Sequence, residues 1–570
     1  MVYAIFLQLM SRTDKSTPLS PTFDQLYNSN GEFRKIPVNK RIFYLSIQAV
    51  FNAVIIGVLA RVLVTLITVI TNIAFYGRLS MSPASPAQNH LGWLVVLIPV
   101  AGSLLVGIMA RYGSKAIRGH GIPEAMEKII TEESRIPPAI TFLKPLSAAI
   151  SIGTGGPFGA EGPIIATGGA FGSLTGQLMH ISPAERKIIL TAGACAGMSA
   201  IFGSPLAAVL LAIELLLFEF SPRSIIPVSL ACITGAAMHI LFFETTPVFA
   251  MPAIAAPTAG ALGIYVLLGT LTGLIASLVS KSVYAVEDLF EKLPVHWMWW
   301  PAIGATAVGI TGYFAPFTMG VGYDNIQKLL TGSLSLQMLL SLCFLKYISW
   351  AIALGSGTSG GTLAPLFTIG GALGALLGVA GLHFFPSIPI NIPTAALIGM
   401  AAMFAGASRA FLTSVVFALE TTGQLNGLLP LMAACAAAYF VSFFLMKGSI
   451  MTEKIKRRGI DTPDSYEPDV LRTSGLQALI TPGRPADNTL PYVYITDDAG
   501  LAAEIMGKYN LDTLLVLDNE KNRQQMGVIT SASILEFYST QKQKDHQYDS
   551  PAGTRRLMVK GRKLMKKMRK

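Results

Sequence analysis

Two stretches of the chain have closely similar sequences, and this internal repeat constrains the fold more than any other feature. FLKPLSAAISIGTGGPFGAEGPIIATGGAFGSLTG begins at Phe142, and FLKYISWAIALGSGTSGGTLAPLFTIGGALGALLG begins at Phe344. At a constant offset of 202 residues, 16 of the 35 positions are identical. Two further segments continue the repeat, because SPLAAVLLAIE ends at Glu214 and AFLTSVVFALE ends at Glu420. The sequence therefore predicts two related halves, at about 42–245 and 258–450.

The repeats lie in strongly apolar sequence. The chain is 52% hydrophobic and 13% charged, with a mean hydropathy of +0.54, whereas soluble domains carry about 25% charged residues. Leu91–Ala110, Thr258–Ser280 and Gly427–Met446 each approach or exceed the roughly 20 apolar residues that span a bilayer. These runs are continuous, whereas barrel strands alternate, so residues 42–460 are predicted to form an all-α, multi-pass membrane domain.

The net charge of +11 is concentrated outside the apolar spans. Basic residues precede the first span at Arg34–Arg41 and follow the last at Lys454–Arg458, and nine more lie between Arg555 and Lys570. Positively charged residues flank membrane spans on the cytoplasmic side, so both termini are expected in the cytoplasm. The protein itself is expected in the inner or plasma membrane of the cell. The cytoplasmic N-terminal segment is predicted to comprise residues 1–41, and a basic tail residues 546–570. The basic tail is expected to contact anionic lipid rather than nucleic acid. A cleaved signal peptide is not expected, because the first ten residues lack a basic start.

Residue types that carry enzymatic chemistry do not occur in the required patterns. The sequence shows no metal-ligand spacing, no phosphate-binding loop and no nucleophile elbow, so we expect no enzyme, no metal and no cofactor. The four cysteines lie in apolar segments and are interpreted as small packing residues rather than disulfides: Cys195, Cys232, Cys343 and Cys435.

Three short stretches share one form: GHGIP from Gly119, GAEGP from Gly159 and GTLAP from Gly361. In each, a proline precedes a helix-forming run, and proline is favoured in the first turn of a helix. Each stretch is therefore predicted to be a helix N-terminus, whose free N–H groups and partial positive charge attract anions. Several such ends meeting inside the membrane would form an anion site without a buried cation.

Glu161 is the acidic residue within these stretches. Its repeat counterpart is Leu363, so the fold does not require an acid at that position. A carboxylate there can occupy the place of a transported anion and leave when it is protonated. Glu161 is therefore predicted to act as gate and proton carrier, with a purely structural buried acid as the alternative.

GHGIPE, GAEGP and GGTLAP, in this order, resemble the three signatures of the CLC family of chloride channels and chloride/proton antiporters. The resemblance implies an inverted repeat of broken, tilted helices, a homodimer with one pore in each subunit, and chloride as the ion. It also implies that Glu161 is the gating glutamate. The candidate anion-binding residues are Gly119, His120, Gly121, Ile122, Pro123, Gly159, Ala160, Gly162, Gly361, Thr362, Leu363 and Met451.

Four positions depart from that family's pattern. His120 stands where the family has serine, and either contacts the anion, which would make binding sensitive to pH, or turns away to bond backbone. Ala160 replaces a basic residue, Met451 replaces an inner tyrosine, and Leu215 replaces an internal proton glutamate. Glu214, one position earlier, is either a substitute proton carrier or a structural residue, and its repeat mate Glu420 favours structure.

Lys144 and Lys346 are also repeat mates. They are interpreted as positive anchors at the membrane interface, with attraction of anions as the alternative.

A cytoplasmic segment at 461–545 follows the membrane domain. Tyr492–Tyr538 reads as strand, helix from about Ala499, strand, turn, strand and helix, which resembles one CBS motif. The preceding SGLQALI is interpreted as an edge strand. Nucleotide binding is possible for CBS pairs but has no phosphate-loop signature here.

The resulting hypothesis is transmembrane chloride transport gated by Glu161, by an antiporter or by a weakly coupled, channel-like relative. A fluoride exporter, suggested by His120, and a strictly passive chloride channel are the alternatives. The expected partners are chloride, protons and the lipid bilayer.

Overall fold

A computed structural model describes residues 38–179, 181–243, 247–460, 471, 475–481, 491–518 and 524–548 of the chain. The described residues fall into two compact units, one comprising those up to Ile460 and the other those from Leu471 onwards. Arg34, Lys35 and most of the predicted N-terminal segment 1–41 lie outside the described residues, as does the basic tail from Asp549 onwards.

The regular secondary structure in the described residues of the first unit is helical. Its first half contains α1 (Val38–Tyr76), α2 (Leu97–Tyr112), α3 (Ile122–Thr131), α4 (Ile140–Gly153), α5 (Glu161–Leu178), α6 (Pro183–Phe202), α7 (Pro205–Leu211) and α8 (Pro222–Phe242). Its second half contains α9 (Ala259–Glu291), α10 (Trp300–Phe314), α11 (Tyr323–Thr331), α12 (Leu336–Leu340), α13 (Lys346–Gly355), α14 (Leu363–Phe384), α15 (Ile392–Ser408), α16 (Phe411–Thr422), α17 (Leu428–Leu445) and α18 (Glu453–Arg457). A π-helical turn extends α7 over Ala212–Leu217, and another joins α12 to α13 over Ser341–Leu345.

The helices differ in length far more than helices that all cross a bilayer at right angles would. Seven helical segments in the described part of the chain are long and apolar enough to cross a membrane, which confirms the predicted multi-pass architecture. α1 has 39 residues, or roughly 58 Å of helix, which is about twice the thickness of a hydrocarbon core. It must therefore tilt or project from the bilayer, whereas α7 has only 7 residues and cannot span it.

Equivalent glycines hold together the central helix pair of each half. A Cβ on Gly168 of α5 would lie 2.3 Å from the Gly193 carbonyl oxygen of α6, and one on its repeat mate Gly370 of α14 would lie 2.6 Å from the Gly399 oxygen of α15. Side chains at these positions would force the helix backbones apart. These repeated glycines therefore have an architectural role, because they allow the paired helices to pack closely.

The predicted role of the cysteines also agrees with the structure. Cys195, Cys232, Cys343 and Cys435 are free and buried.

The second unit is a small α/β structure. It contains β1 (Tyr492–Tyr494), α19 (Ala499–Tyr509), β2 (Thr513–Leu517), β3 (Gln525–Thr530) and α20 (Ser531–Tyr548). β1 pairs parallel to β2, and β2 pairs antiparallel to β3. The predicted order of strands and helices is therefore correct, whereas the identity of the unit as a CBS domain stays a prediction.

The edge strand predicted for SGLQALI does not form. Leu476–Ala478 is a 3₁₀ turn, and Thr481, directly after the segment, forms an isolated bridge with Val528 of β3. The apolar side chains of the segment are used instead in the core, where Leu476 is fully buried.

Candidate functional site

The three glycine-rich stretches meet inside the first unit. The Gly119 amide donates to the Thr358 carbonyl oxygen at 3.0 Å, and the Gly159 and Gly361 amides donate to each other's carbonyl oxygens at 3.3 and 3.1 Å. α3, α5 and α14 begin immediately after these contacts, at Ile122, Glu161 and Leu363. The prediction of three helix starts is confirmed, and the structure brings them to one place.

This approach depends on the absence of side chains. A Cβ on Gly162 would lie 2.3 Å from the His120 carbonyl oxygen and 2.7 Å from the Gly361 Cα. A Cβ on Gly121 would lie 2.4 Å from the Gly162 oxygen. Backbone thus packs against backbone, which leaves amide groups rather than side chains to line the junction.

The Glu161 carboxylate lies at this junction and is completely buried. Its Oε1 accepts a hydrogen bond from the Ala364 amide at 2.6 Å, in the first turn of α14. Its Oε2 accepts one from the Tyr323 hydroxyl at 3.2 Å. The acid from the first half therefore occupies the helix N-terminus of the second half, where an anion is favoured.

Several polar groups near this carboxylate lack partners. Among the described residues, His120 Nδ1, Thr358 Oγ1 and Thr362 Oγ1 are buried without a hydrogen-bond partner. A buried polar group without a hydrogen-bond partner lowers the stability of the fold unless a bound ion or water supplies the missing partner. His120 Nδ1 makes no backbone hydrogen bond among the described residues, and contact of His120 with an anion stays a prediction.

Tyr323 is a site residue that the sequence analysis missed. It lies in GVGYDN, which corresponds to GHGIPE at an offset of 201 rather than 202. The two segments share glycines with positive φ, at Gly119 and Gly121 and at Gly320 and Gly322. A search for a second copy of the first motif would have identified this segment, because only glycine readily adopts such φ values.

Lys144 and Lys346 are not anchors at the membrane interface, so that interpretation is wrong. Their exposed fractions are 1% and 0%. Lys144 Nζ donates to the Ile117 and Gly119 carbonyl oxygens at 2.8 Å, and Lys346 Nζ donates to the Thr318 and Gly320 oxygens at 3.1 and 3.4 Å. Each lysine thus holds the glycine loop of its own half, because buried ammonium groups must find acceptors.

Glu214 and Glu420 form a reciprocal pair across the two halves. The Glu214 carboxylate accepts from the Leu412 and Thr413 amides at 2.8 and 2.9 Å, at the start of α16. The Glu420 carboxylate accepts from the Leu206 and Ala207 amides at 3.0 and 2.8 Å, at the start of α7. Each acid caps the helix of the opposite half, which favours the structural alternative for Glu214.

Glu214→Ala is expected to lower stability without removing proton linkage. The change leaves the Leu412 and Thr413 amides without their acceptor, at a cost of about 1–3 kcal/mol. Thermal unfolding of the purified protein in detergent measures this loss. Glu219→Ala is the control, because Glu219 is 42% exposed and 3.7 Å from Lys187, and exposed pairs contribute little. Unchanged unfolding together with lost proton movement would instead identify Glu214 as a proton carrier.

Met451 lies in the core, just before α18. Its side chain is fully buried, and the backbone of neighbouring Ile450 is fixed by the Ala407 oxygen at 2.8 Å and the Tyr284 hydroxyl at 2.7 Å. The position is therefore rigid and apolar. Its predicted role at the inner end of a pore stays a prediction, as does the predicted contact of Ala160 with an anion.

Comparisons with known proteins identify the family and the fold of the chain. A sequence model of the family described as "Voltage gated chloride channel" matches residues 101–443. The H(+)/Cl(-) exchange transporter ClcA of Yersinia pestis bv. Antiqua (strain Angola) is 30% identical over 368 residues, which are 62% of this chain and 76% of that transporter.

Two solved structures share the fold. A slow cyanobacterial Cl-/H+ antiporter has a TM-score of 0.64 at 23% identity, covering 72% of this chain and 98% of its own. A eukaryotic CLC transporter has a TM-score of 0.60 at 20% identity, covering 88% of this chain and 89% of its own. The predicted fold, an inverted repeat of broken, tilted helices followed by a small α/β unit, is thereby confirmed.

Proposed function

The chain belongs to the family of voltage-gated chloride channels, and from this premise we propose that it moves chloride across a membrane along a path gated by Glu161. One observation carries the proposal. The buried Glu161 carboxylate accepts a hydrogen bond of 2.6 Å from the Ala364 amide, at a helix N-terminus suited to an anion. The carboxylate is thus a tethered anion at the junction of three helix starts.

Transport follows from competition for this position. While Glu161 is ionised, its carboxylate holds the Ala364 amide and excludes a free anion. Protonation removes its negative charge and weakens the hydrogen bond, because a neutral carboxyl oxygen is a poorer acceptor. Chloride then takes the position, held by amides and partial charges that bind weakly enough to release it.

We also propose that proton coupling is weak. The relatives named as H(+)/Cl(-) exchange transporters support a proton link, and Glu161 supplies one group that can carry the proton. Leu215 cannot carry a proton, and the neighbouring Glu214 carboxylate caps α16. Protons that reach Glu161 are therefore expected to accompany only part of the chloride flux.

Purified protein in liposomes tests this proposal. With an outward chloride gradient and a potassium ionophore that removes the membrane potential, we expect rapid chloride efflux, only partly increased by a proton ionophore, and a small inward proton movement. The reversal potential under combined chloride and proton gradients gives the ratio of the two ions. Absence of halide movement would contradict the transport proposal, and a fixed ratio with full dependence on the ionophore would contradict weak coupling.

His120 is a candidate donor to the transported anion, because its buried Nδ1 has no partner among the described residues. We expect the wild-type protein to move chloride faster than fluoride. We also expect His120→Ala to lower the chloride flux about ten-fold, because the change removes one donor to the anion. Chloride and fluoride electrodes measure both fluxes, and Ser147→Ala is the control because the Ser147 hydroxyl already bonds the Lys144 oxygen at 2.9 Å. A wild-type preference for fluoride would favour the fluoride-exporting alternative.

The remaining expectations are further proposals. They are a homodimer with one path in each subunit, both termini in the cytoplasm of a cell-membrane protein, and a nucleotide at the CBS-like unit. Size measurement in detergent, protease access in oriented vesicles and nucleotide titration of the full chain test them in turn.

A further inference from the structure

Tyr323 begins α11 and is the polar side chain of the second half that touches the Glu161 carboxylate. Its hydroxyl donates to Oε2 at 3.2 Å, while the Ala364 amide donates to Oε1. The two oxygens of the carboxylate thus have different partners. The backbone amide cannot be removed without rebuilding α14, whereas the hydroxyl is a single atom on a side chain.

The Tyr323 ring is held firmly in place. Phe202 and Phe249 pack edge-on against it, with ring centroids at 5.8 and 6.0 Å. Both phenylalanine side chains are buried, with exposed fractions of 2% and 1%. Aromatic packing therefore holds the ring that carries the hydroxyl.

A cavity of about 240 Å³ is lined in part by Tyr323. Its lining includes Gly322 and Tyr323, the segment around Ser85, and the side chains of Asp324 and Lys328. Tyr323 therefore borders this cavity and also contacts the buried carboxylate.

The charged groups near Glu161 lie on other elements. The Lys346 ammonium, at the start of α13, bonds the Thr318 and Gly320 oxygens of the loop that precedes Tyr323. Asp324 and Lys328 on α11 reach the same cavity as Tyr323. Removal of the Tyr323 hydroxyl leaves all these charges in place, so its effect can be measured separately.

We propose that Tyr323 is a positioning residue for the gate: its hydroxyl holds the ionised Glu161 carboxylate in the anion's place and sets the pH at which the gate opens. The inference rests on the proposed gating role of Glu161. A donated hydrogen bond stabilises the ionised acid more than the protonated acid. Without the hydroxyl, the carboxylate is protonated at lower proton concentration and the gate opens at higher pH.

Tyr323→Phe tests this inference because it removes the hydroxyl and keeps the ring. In liposomes, we expect the midpoint of the chloride flux against pH to move upward by about one unit, the effect of a hydrogen bond worth about ten-fold. Tyr76→Phe is the matched control. The Tyr76 hydroxyl bonds the Ser85 oxygen at 2.6 Å beside the same cavity, and its loss should leave the midpoint unchanged.

The double variant separates this inference from the proposed function. Glu161→Gln alone should abolish the pH dependence, and adding Tyr323→Phe should then change nothing more. If Glu161→Gln keeps the pH dependence, the gate proposal fails. If Glu161→Gln abolishes it but Tyr323→Phe has the wild-type midpoint, only the role of Tyr323 is wrong.

Two further results decide the remaining cases. A lower flux at every pH with an unchanged midpoint would make the hydroxyl an anion ligand and overturn the inference. If Tyr323→Phe is folded but does not transport, infrared spectra in detergent are recorded against pH to follow the band of the protonated Glu161 carboxyl. This band is the one that is absent from the spectrum of Glu161→Gln. This band should appear at higher pH than in the wild-type protein, and an unshifted titration would overturn the inference.

Discussion

Glu161→Gln is expected to make chloride flux independent of pH and to abolish proton movement. Glutamine has nearly the shape of a protonated glutamate but carries no exchangeable acid, so it cannot compete as an anion for the Ala364 amide. Chloride should then enter the junction freely, and its flux at neutral pH should exceed that of the wild-type protein. Proton uptake and chloride efflux, recorded together in one liposome preparation, measure both effects.

Glu420→Gln is the matched control for this variant. Glu420 also accepts two backbone amides at a helix start, from Leu206 and Ala207, but lies at α7 rather than at the junction. Its replacement should leave the pH dependence of flux intact. If Glu420→Gln and Glu161→Gln had the same effect, the loss would reflect general disturbance and Glu161 would not be the gate.

Gly162→Ala is expected to have the second-largest effect, a loss of transport of more than about ten-fold, because overpacking typically costs about 1–3 kcal/mol. The added Cβ would lie 2.3 Å from the His120 oxygen and 2.7 Å from the Gly361 Cα. Both neighbours are backbone, so relief requires the three helix starts to separate. The amides would then no longer surround one position, and anion binding should weaken with them.

Gly169→Ala is the control on the same helix. A Cβ there meets its nearest atom, Leu190 Cδ2, at 3.5 Å, which is ordinary van der Waals contact. Chloride flux and thermal unfolding should remain near wild-type values, and the helix propensity of alanine should stabilise α5 slightly. Equal transport by both variants would show that the close approach at Gly162 is not needed for function.

The helix starts illustrate how far local sequence can predict the site. A proline after glycines fixes where a helix begins, and this signal is contained within about five residues. The starts of α3, α5 and α14 were therefore predictable at GHGIP, GAEGP and GTLAP. The strands and helices of the second unit were predictable for a similar reason, since hydrophobic alternation and turn residues are local.

Tyr323 and the buried lysines show where local sequence fails. Tyr323 is separated from Glu161 by 161 residues, and its segment keeps only the glycines of the motif it repeats. Lys144 and Lys346 have the sequence context of interfacial anchors, but each finds two backbone carbonyl acceptors in the core. Whether such acceptors exist depends on where distant loops lie.

The sequence by itself determined the membrane class and the helix starts, because these follow from composition and local pattern. It also determined the two related halves and the position of Glu161, an acid without an acidic counterpart in the other half, because these follow from comparison of the chain with itself. Only the tertiary structure decided which groups meet: the Glu161 carboxylate with the Ala364 amide and the Tyr323 hydroxyl, and each capping glutamate with the opposite half. The physical reason is that hydrogen bonds require atoms about 3 Å apart. Only the packing of the two halves brings residues some 160 to 214 positions apart to that distance.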